Sequence, residues 1–158
     1  MHLALPPAQL LSLADTYGLP LFVYDGGTIT RQIESLMHAL DVPSLQIHYA
    51  CKALNTIGVI KHIHKYGCGI DTVSPGEIMI ALQAGVPASS ISFTPSGVLT
   101  EEYAFAISKG VHVHVDQFHV LDWLDTHYPG LEITLRFNPA IQAGGHSKLQ
   151  VGSDGSKF

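Results

Sequence analysis

Gly69-Ile-Asp-Thr-Val-Ser-Pro-Gly-Glu-Ile-Met-Ile-Ala-Leu-Gln-Ala84 is one complete strand-to-helix unit, and its plan recurs along the chain. Residues 69–74 read as a short apolar strand. Ser74-Pro75-Gly76-Glu77 then forms a capping box, with a hydroxyl at the N-cap, proline at the first helical position and an acid three residues on. Residues 75–84 continue as a helix, and a glycine-bearing turn leads to the next strand.

The same sequence of strand, loop, helix and turn extends to both sides. Strands are predicted near residues 46–52, 69–74, 91–94, 111–115 and 132–138, with helices near 56–65, 75–84, 101–109 and 117–126. Thr100 and Asp116 are plausible N-caps for the last two helices. Alternation of this kind argues for right-handed βαβ units and a parallel sheet.

Upstream, Pro6-Pro7 opens a helix over 8–17 that Gly18 ends, and 19–25 reads as a short strand. Ile29, Ile33, Leu36, Met37 and Leu40 share one helical face over 28–40, before Pro43 closes the element. After Asn138-Pro139 the pattern gives way to the loop-like stretches 143–148 and 152–156. A complete eight-stranded β/α barrel takes about 250 residues. The expected fold is therefore α/β, a partial barrel of about five parallel strands forming the first part of a longer protein.

The chain has 158 residues, 46% hydrophobic and 13% charged, which is enough apolar material for a buried core and too little charge for disorder. Its formal net charge of −5, without a basic cluster, offers no footprint for nucleic acid or an anionic membrane. No signal-peptide pattern opens the sequence, and no apolar run approaches the roughly 20 residues needed to span a bilayer, so a cytoplasmic location is expected. Cys51 and Cys68 fall in core segments and read as free thiols.

Candidate chemistry gathers at strand ends. Lys52 closes the apolar run Gln46-Ile-His-Tyr-Ala-Cys-Lys52, where partial desolvation would lower an amine's pKa and let it attack an aldehyde; pyridoxal phosphate is the usual biological one. Alternation would put His48, Ala50 and Lys52 on one face. The competing reading is a surface lysine just past a strand. Asp71, an acid within an apolar strand, needs a partner, and Lys52 on the neighbouring strand is the obvious one; an edge position with solvent access is the alternative. Glu77 is explained equally well by its capping box. Arg136 is a cation at the end of the fifth strand, suited to a carboxylate, a phosphate or an ion pair with a loop acid. His112, His114 and Asp116 form a row that could bind zinc, the main rival chemistry, although Asp116 already serves as an N-cap. His62 and His64 lie two apart on a helix and do not share a face.

Tyr49-Ala-Cys-Lys-Ala53, Gly69-Ile-Asp-Thr-Val-Ser-Pro-Gly-Glu77, Phe93-Thr-Pro-Ser-Gly97, Arg136-Phe-Asn-Pro139 and Ser156-Lys-Phe158 together resemble the fold-type III pyridoxal-phosphate-dependent decarboxylases. Their order and spacing are most similar to the diaminopimelate decarboxylase family. The resemblance implies an alanine racemase-like β/α barrel over 27–158 and an N-terminal helix and strand over 1–26, the strand belonging to that family's β-domain. It implies Lys52 as the catalytic, cofactor-bearing lysine, with Asp71, Glu77 and Arg136 near the cofactor. It further implies decarboxylation of meso-2,6-diaminopimelate to L-lysine, and a homodimer in the full-length protein. The family's stacking histidine, phosphate-cradling glycine loop, acid for the pyridinium nitrogen and partner-supplied cysteine and tyrosine would come after the fifth strand, so this chain alone is expected to be weakly active or inactive. A related ornithine, arginine or carboxynorspermidine decarboxylase is the second reading, and a non-catalytic pyridoxal-phosphate barrel the third.

Overall fold

The structure, a computed structural model, describes residues 5–40 and 42–138. Helices α1 (Pro7–Tyr17) and α2 (Gly26–Ala39) precede the alternating units. These run β1 (His48–Ala50), α3 (Ile57–Lys65), β2 (Gly69–Thr72), α4 (Pro75–Gln83), β3 (Ile91–Phe93), α5 (Thr100–Ser108), β4 (His112–Val115), α6 (Phe118–His127) and β5 (Thr134–Leu135). The strands form one parallel sheet in chain order, β1-β2-β3-β4-β5. Sequential order with a helix in every crossover is the first part of a β/α barrel, as the sequence leads one to expect.

Side-chain alternation divides the sheet into two faces. Ile70, Ile91, Phe93, Val113 and Val115 lie under the helices and are buried, together with Ile60, Ile78, Tyr103 and Val120 from α3 to α6. Tyr103 of α5 meets Phe93 edge-on, with ring centroids 5.6 Å apart, and its hydroxyl donates to the carbonyl of His114 at 3.4 Å. The opposite face carries His48, Asp71, Ser92, His112 and His114, polar residues unsuited to a helix-covered layer. Helix α2 lies against α3, where the ring nitrogen Nε2 of His62 meets both the Gly26 carbonyl at 3.0 Å and the Thr30 hydroxyl at 2.9 Å.

Several boundaries differ from the sequence reading. Residues 19–25 do not form a strand, because a strand is held by its ladder and no described residue supplies one to this segment. β1 stops at Ala50, and Cys51–Ala53 winds into a 3-10 turn in which Leu54 N–H donates to the Cys51 carbonyl at 3.1 Å. The N-caps of α5 and α6 are Leu99 and Gln117, one residue away from the expected Thr100 and Asp116. At Leu99 the free backbone N–H is satisfied instead by the Glu102 carboxylate, 3.0 Å away. The motif residues 139 and 156–158, and the loops 143–148 and 152–156, lie outside the described residues.

Candidate active site

The carboxyl ends of β1 and β2 set the first part of the site. The turn after β1 has one inward and one outward residue: Cys51 is fully buried and Lys52 is exposed. Tyr49 braces the turn by donating its hydroxyl to the Leu54 carbonyl at 3.2 Å. Lys52 is therefore presented exposed at the strand mouth by a turn, not as the last residue of a strand, so the alternation that runs through His48 and Ala50 does not extend to it.

Asp71 occupies the middle of β2, half-buried. Its partner is not Lys52. Ser92 of the adjoining β3 and Thr94 just after it donate their hydroxyls to Oδ1 of Asp71, the former at 3.3 Å. The parallel register that sets Asp71 opposite Ser92 makes this possible, since hydroxyls on the neighbouring strand reach the carboxylate without any cation.

Glu77 is nine-tenths buried, and only half of the expected capping box forms, because its carboxylate reaches past the N-cap Ser74 to the residue before it. Its Oε2 accepts from Val73 N–H at 2.8 Å, and its own N–H donates to Ser74 Oγ at 3.2 Å. The cap fixes the β2-to-α4 turn beside Cys51. Burial pushes the Cys51 thiol up to about 11, and the carboxylates of Glu77 and then Asp71 push in the same direction. Lys52 thus follows directly on a buried thiol whose proton is held tightly.

Arg136 comes directly after β5 and is exposed, its backbone N–H donating to the Val115 carbonyl at 2.8 Å. Asp71 and Glu77 both act on the buried Cys51 beside Lys52, while Lys52 itself bonds to neither and Arg136 is at the opposite edge of the sheet. It does act electrostatically on the polar face. The His114 imidazole has a lowered proton affinity, first because of burial, then because of His112, with smaller contributions from His48 and Arg136 and an opposing one from Asp71.

The row of possible zinc ligands does not converge. The His112 and His114 rings stand edge to face, 5.4 Å apart, and His112 Nε2 is engaged with Thr134 Oγ1 at 2.8 Å. Asp116 turns to Ser96, accepting its hydroxyl at 2.8 Å. Among the described residues no group of three histidine, cysteine or acidic side chains is placed to hold a metal ion.

A cavity of about 490 Å³ opens on the polar face, lined by His48, Asp71, Ser92, Thr94, His112 and His114 among others. Lys52 does not line it; Asp71 and Thr94 are the members nearest the strand mouths. The sequence reading places His48 on the face of Lys52 without a role and gives none to Ser92 or Thr94, although their period-two placement next to Asp71 is a readable signal.

Residues 26–158 match the family model described as the pyridoxal-dependent decarboxylase, pyridoxal binding domain. The chain is 39% identical to the diaminopimelate decarboxylase of Methanothermobacter thermautotrophicus, the alignment covering 99% of this chain and 37% of that one. Against the diaminopimelate decarboxylase of Bacillus subtilis the identity is 31%, covering 99% and 37%. The chain thus spans under two-fifths of the length of these relatives. Among solved structures, it is similar to the diaminopimelate decarboxylase of Helicobacter pylori complexed with L-lysine, with a TM-score of 0.84 and 28% identity over 94% of this chain and 39% of that one.

Proposed function

This chain belongs to the pyridoxal-binding domain family of the pyridoxal-dependent decarboxylases, and on that premise we propose that the protein decarboxylates meso-2,6-diaminopimelate to L-lysine, with Lys52 carrying pyridoxal phosphate. The observation that carries this reading is the placement of an exposed amine on a braced turn at the mouth of β1, next to a buried thiol on which the carboxylates of Glu77 and Asp71 act. Similarity to diaminopimelate decarboxylases along almost the whole chain supports the choice of substrate.

The residues present fit the cofactor in part. They offer a solvent-accessible amine for its aldehyde and an oriented carboxylate on the next strand, while the phosphate-holding groups belong to the portion of the barrel beyond the fifth strand. When bound, pyridoxal phosphate supplies an electron sink for the pair left by loss of CO2. Lys52 Nζ would be the group that holds it. Asp71, its carboxylate aimed by Ser92 and Thr94, lines the cofactor side of β2. Glu77 acts from behind: its cap holds the turn beside Cys51 and Lys52. Arg136 provides a cation at the fifth strand for an anionic group of cofactor or substrate.

In this reading residues 27–158 are the first part of the barrel, and 1–26 supply a helix and a segment that joins a β-domain, where 19–25 would find its ladder. The full-length protein is a cytoplasmic homodimer, and this chain alone has little or no activity. No helix among the described residues is long and apolar enough to cross a membrane.

The test is CO2 release by the intact protein supplied with pyridoxal phosphate and, in turn, meso-diaminopimelate, L-ornithine, L-arginine and carboxynorspermidine. Turnover of meso-diaminopimelate with L-lysine as product is expected. Preference for one of the others would move the protein to a neighbouring decarboxylase, and cofactor uptake without CO2 from any of them would leave a non-catalytic barrel.

A further inference from the structure

His48 has a seat prepared for it. In the parallel register it stands opposite Gly69, and a Cβ built on that glycine would come within 2.7 Å of the imidazole ring. Any residue but glycine would displace the ring from the strand. Seated there, His48 Nδ1 lies 3.2 Å from Ser92 Oγ, which in turn reaches Asp71 Oδ1 at 3.3 Å. Thr94 bonds the same carboxylate oxygen.

The direction of this line is set by proton counting. A serine hydroxyl has one proton and two acceptor lone pairs. Ser92 gives its proton to Asp71, or, at 3.5 Å, to the carbonyl of Ile70. With its proton on either acceptor the oxygen is left to accept and His48 donates from Nδ1; the alternative, Ser92 donating to Nδ1, would leave Asp71 without the Ser92 bond.

We propose that His48 is a positioning residue, which, seated over Gly69 and donating from Nδ1 to Ser92, holds the carboxylate of Asp71 in one orientation toward the cofactor. This rests on the reading of Asp71 as a cofactor-side residue, but the donor line itself does not. It also explains a glycine at the first position of β2 and a buried serine at the middle of β3, neither of which the capping box or the core requires.

Histidine tautomers are read from long-range ¹H–¹⁵N correlations in the intact, ¹⁵N-histidine-labelled protein without cofactor. The expected result is that neutral His48 is protonated at Nδ1, against the usual preference for Nε2 in water, and that Ser92→Ala returns it to the Nε2 form while Ser92→Thr does not. An Nε2-protonated His48 in the unaltered protein, which needs no variant to fold, overturns the donor line. So does an Nδ1 form indifferent to Ser92→Ala. For the effect on Asp71, pyridoxal phosphate affinity is measured. One lost hydrogen-bond link corresponds to a Kd raised about tenfold in His48→Leu, while His48→Asn, whose amide can donate from the place of Nδ1, stays within about twofold. Equal affinities for the two variants would overturn the positioning role. If pyridoxal phosphate did not attach at Lys52 at all, while His48 kept its Nδ1 proton, the proposed function would fail and the donor line would stand.

Discussion

Replacing Glu77 separates a residue that holds the site from one that touches the cofactor. In Glu77→Ala the backbone N–H of Val73 loses its acceptor at 2.8 Å in a half-buried turn. Leaving such a donor unpaired costs about 1–3 kcal/mol, read as a lower urea midpoint at unchanged slope. Glu77→Gln keeps an acceptor oxygen and should lose at most about 1 kcal/mol. The second signature is electrostatic. The Glu77 carboxylate contributes to raising the Cys51 thiol to about 11, behind burial and ahead of Asp71, so both variants should lower the pH at which Cys51 becomes alkylated. The linkage has a definite sign. Below 9.0, the ordinary thiol value, folded and unfolded Cys51 are both protonated; between 9.0 and about 11 only the unfolded thiol ionises, so stability falls as pH rises through that window. Glu77→Gln narrows the window from above. Undiminished stability in Glu77→Ala together with lost pyridoxal phosphate binding would refute the capping role and make Glu77 a direct cofactor ligand.

Phe93 is fully buried and stacked edge-on against Tyr103, so Phe93→Ala should cost about 3–5 kcal/mol in urea unfolding; a loss below about 1 kcal/mol would mean that β3 and α5 do not pack as described. His114, whose proton affinity is lowered by burial and by His112, His48 and Arg136 against Asp71, favours folding as the neutral ring. Its contribution is present above the ordinary imidazole value of 6.5 and is lost as pH falls below it, because the unfolded chain takes up the proton first. His114→Asn should accordingly flatten the fall of stability as pH drops below 6.5, measured as thermal midpoint against pH; an unchanged slope would locate the acid sensitivity elsewhere.

The order of strands and helices was legible because each unit carries its own punctuation. Ser74-Pro75-Gly76-Glu77 starts a helix with Ser74 at its N-cap as its sequence says, although the Glu77 carboxylate takes the N–H of Val73 and not that of the cap, and Cys51 and Cys68 are free and buried as expected. Lys52 shows where periodicity stops informing: an apolar run does not reveal the residue at which a ladder ends and a turn begins, and Ala50 supplies no punctuation. Asp71 was recognised as needing a partner, but the partner depended on strand register, which the sequence does not state. Register put Ser92 opposite it, and hydroxyls did what a lysine was expected to do. The segment 19–25 has strand-like composition and no ladder among the described residues, since composition says nothing about where a partner strand lies.

The most direct measurement is the site of cofactor attachment. Pyridoxal phosphate is added to the intact protein, fixed with borohydride, and the labelled peptide identified by mass spectrometry. A single pyridoxyl group on Lys52, absent after Lys52→Ala, is the predicted result. Label on Lys61, Lys65 or Lys109 instead, or label that survives Lys52→Ala undiminished, would contradict the assignment of the β1 mouth as the active site.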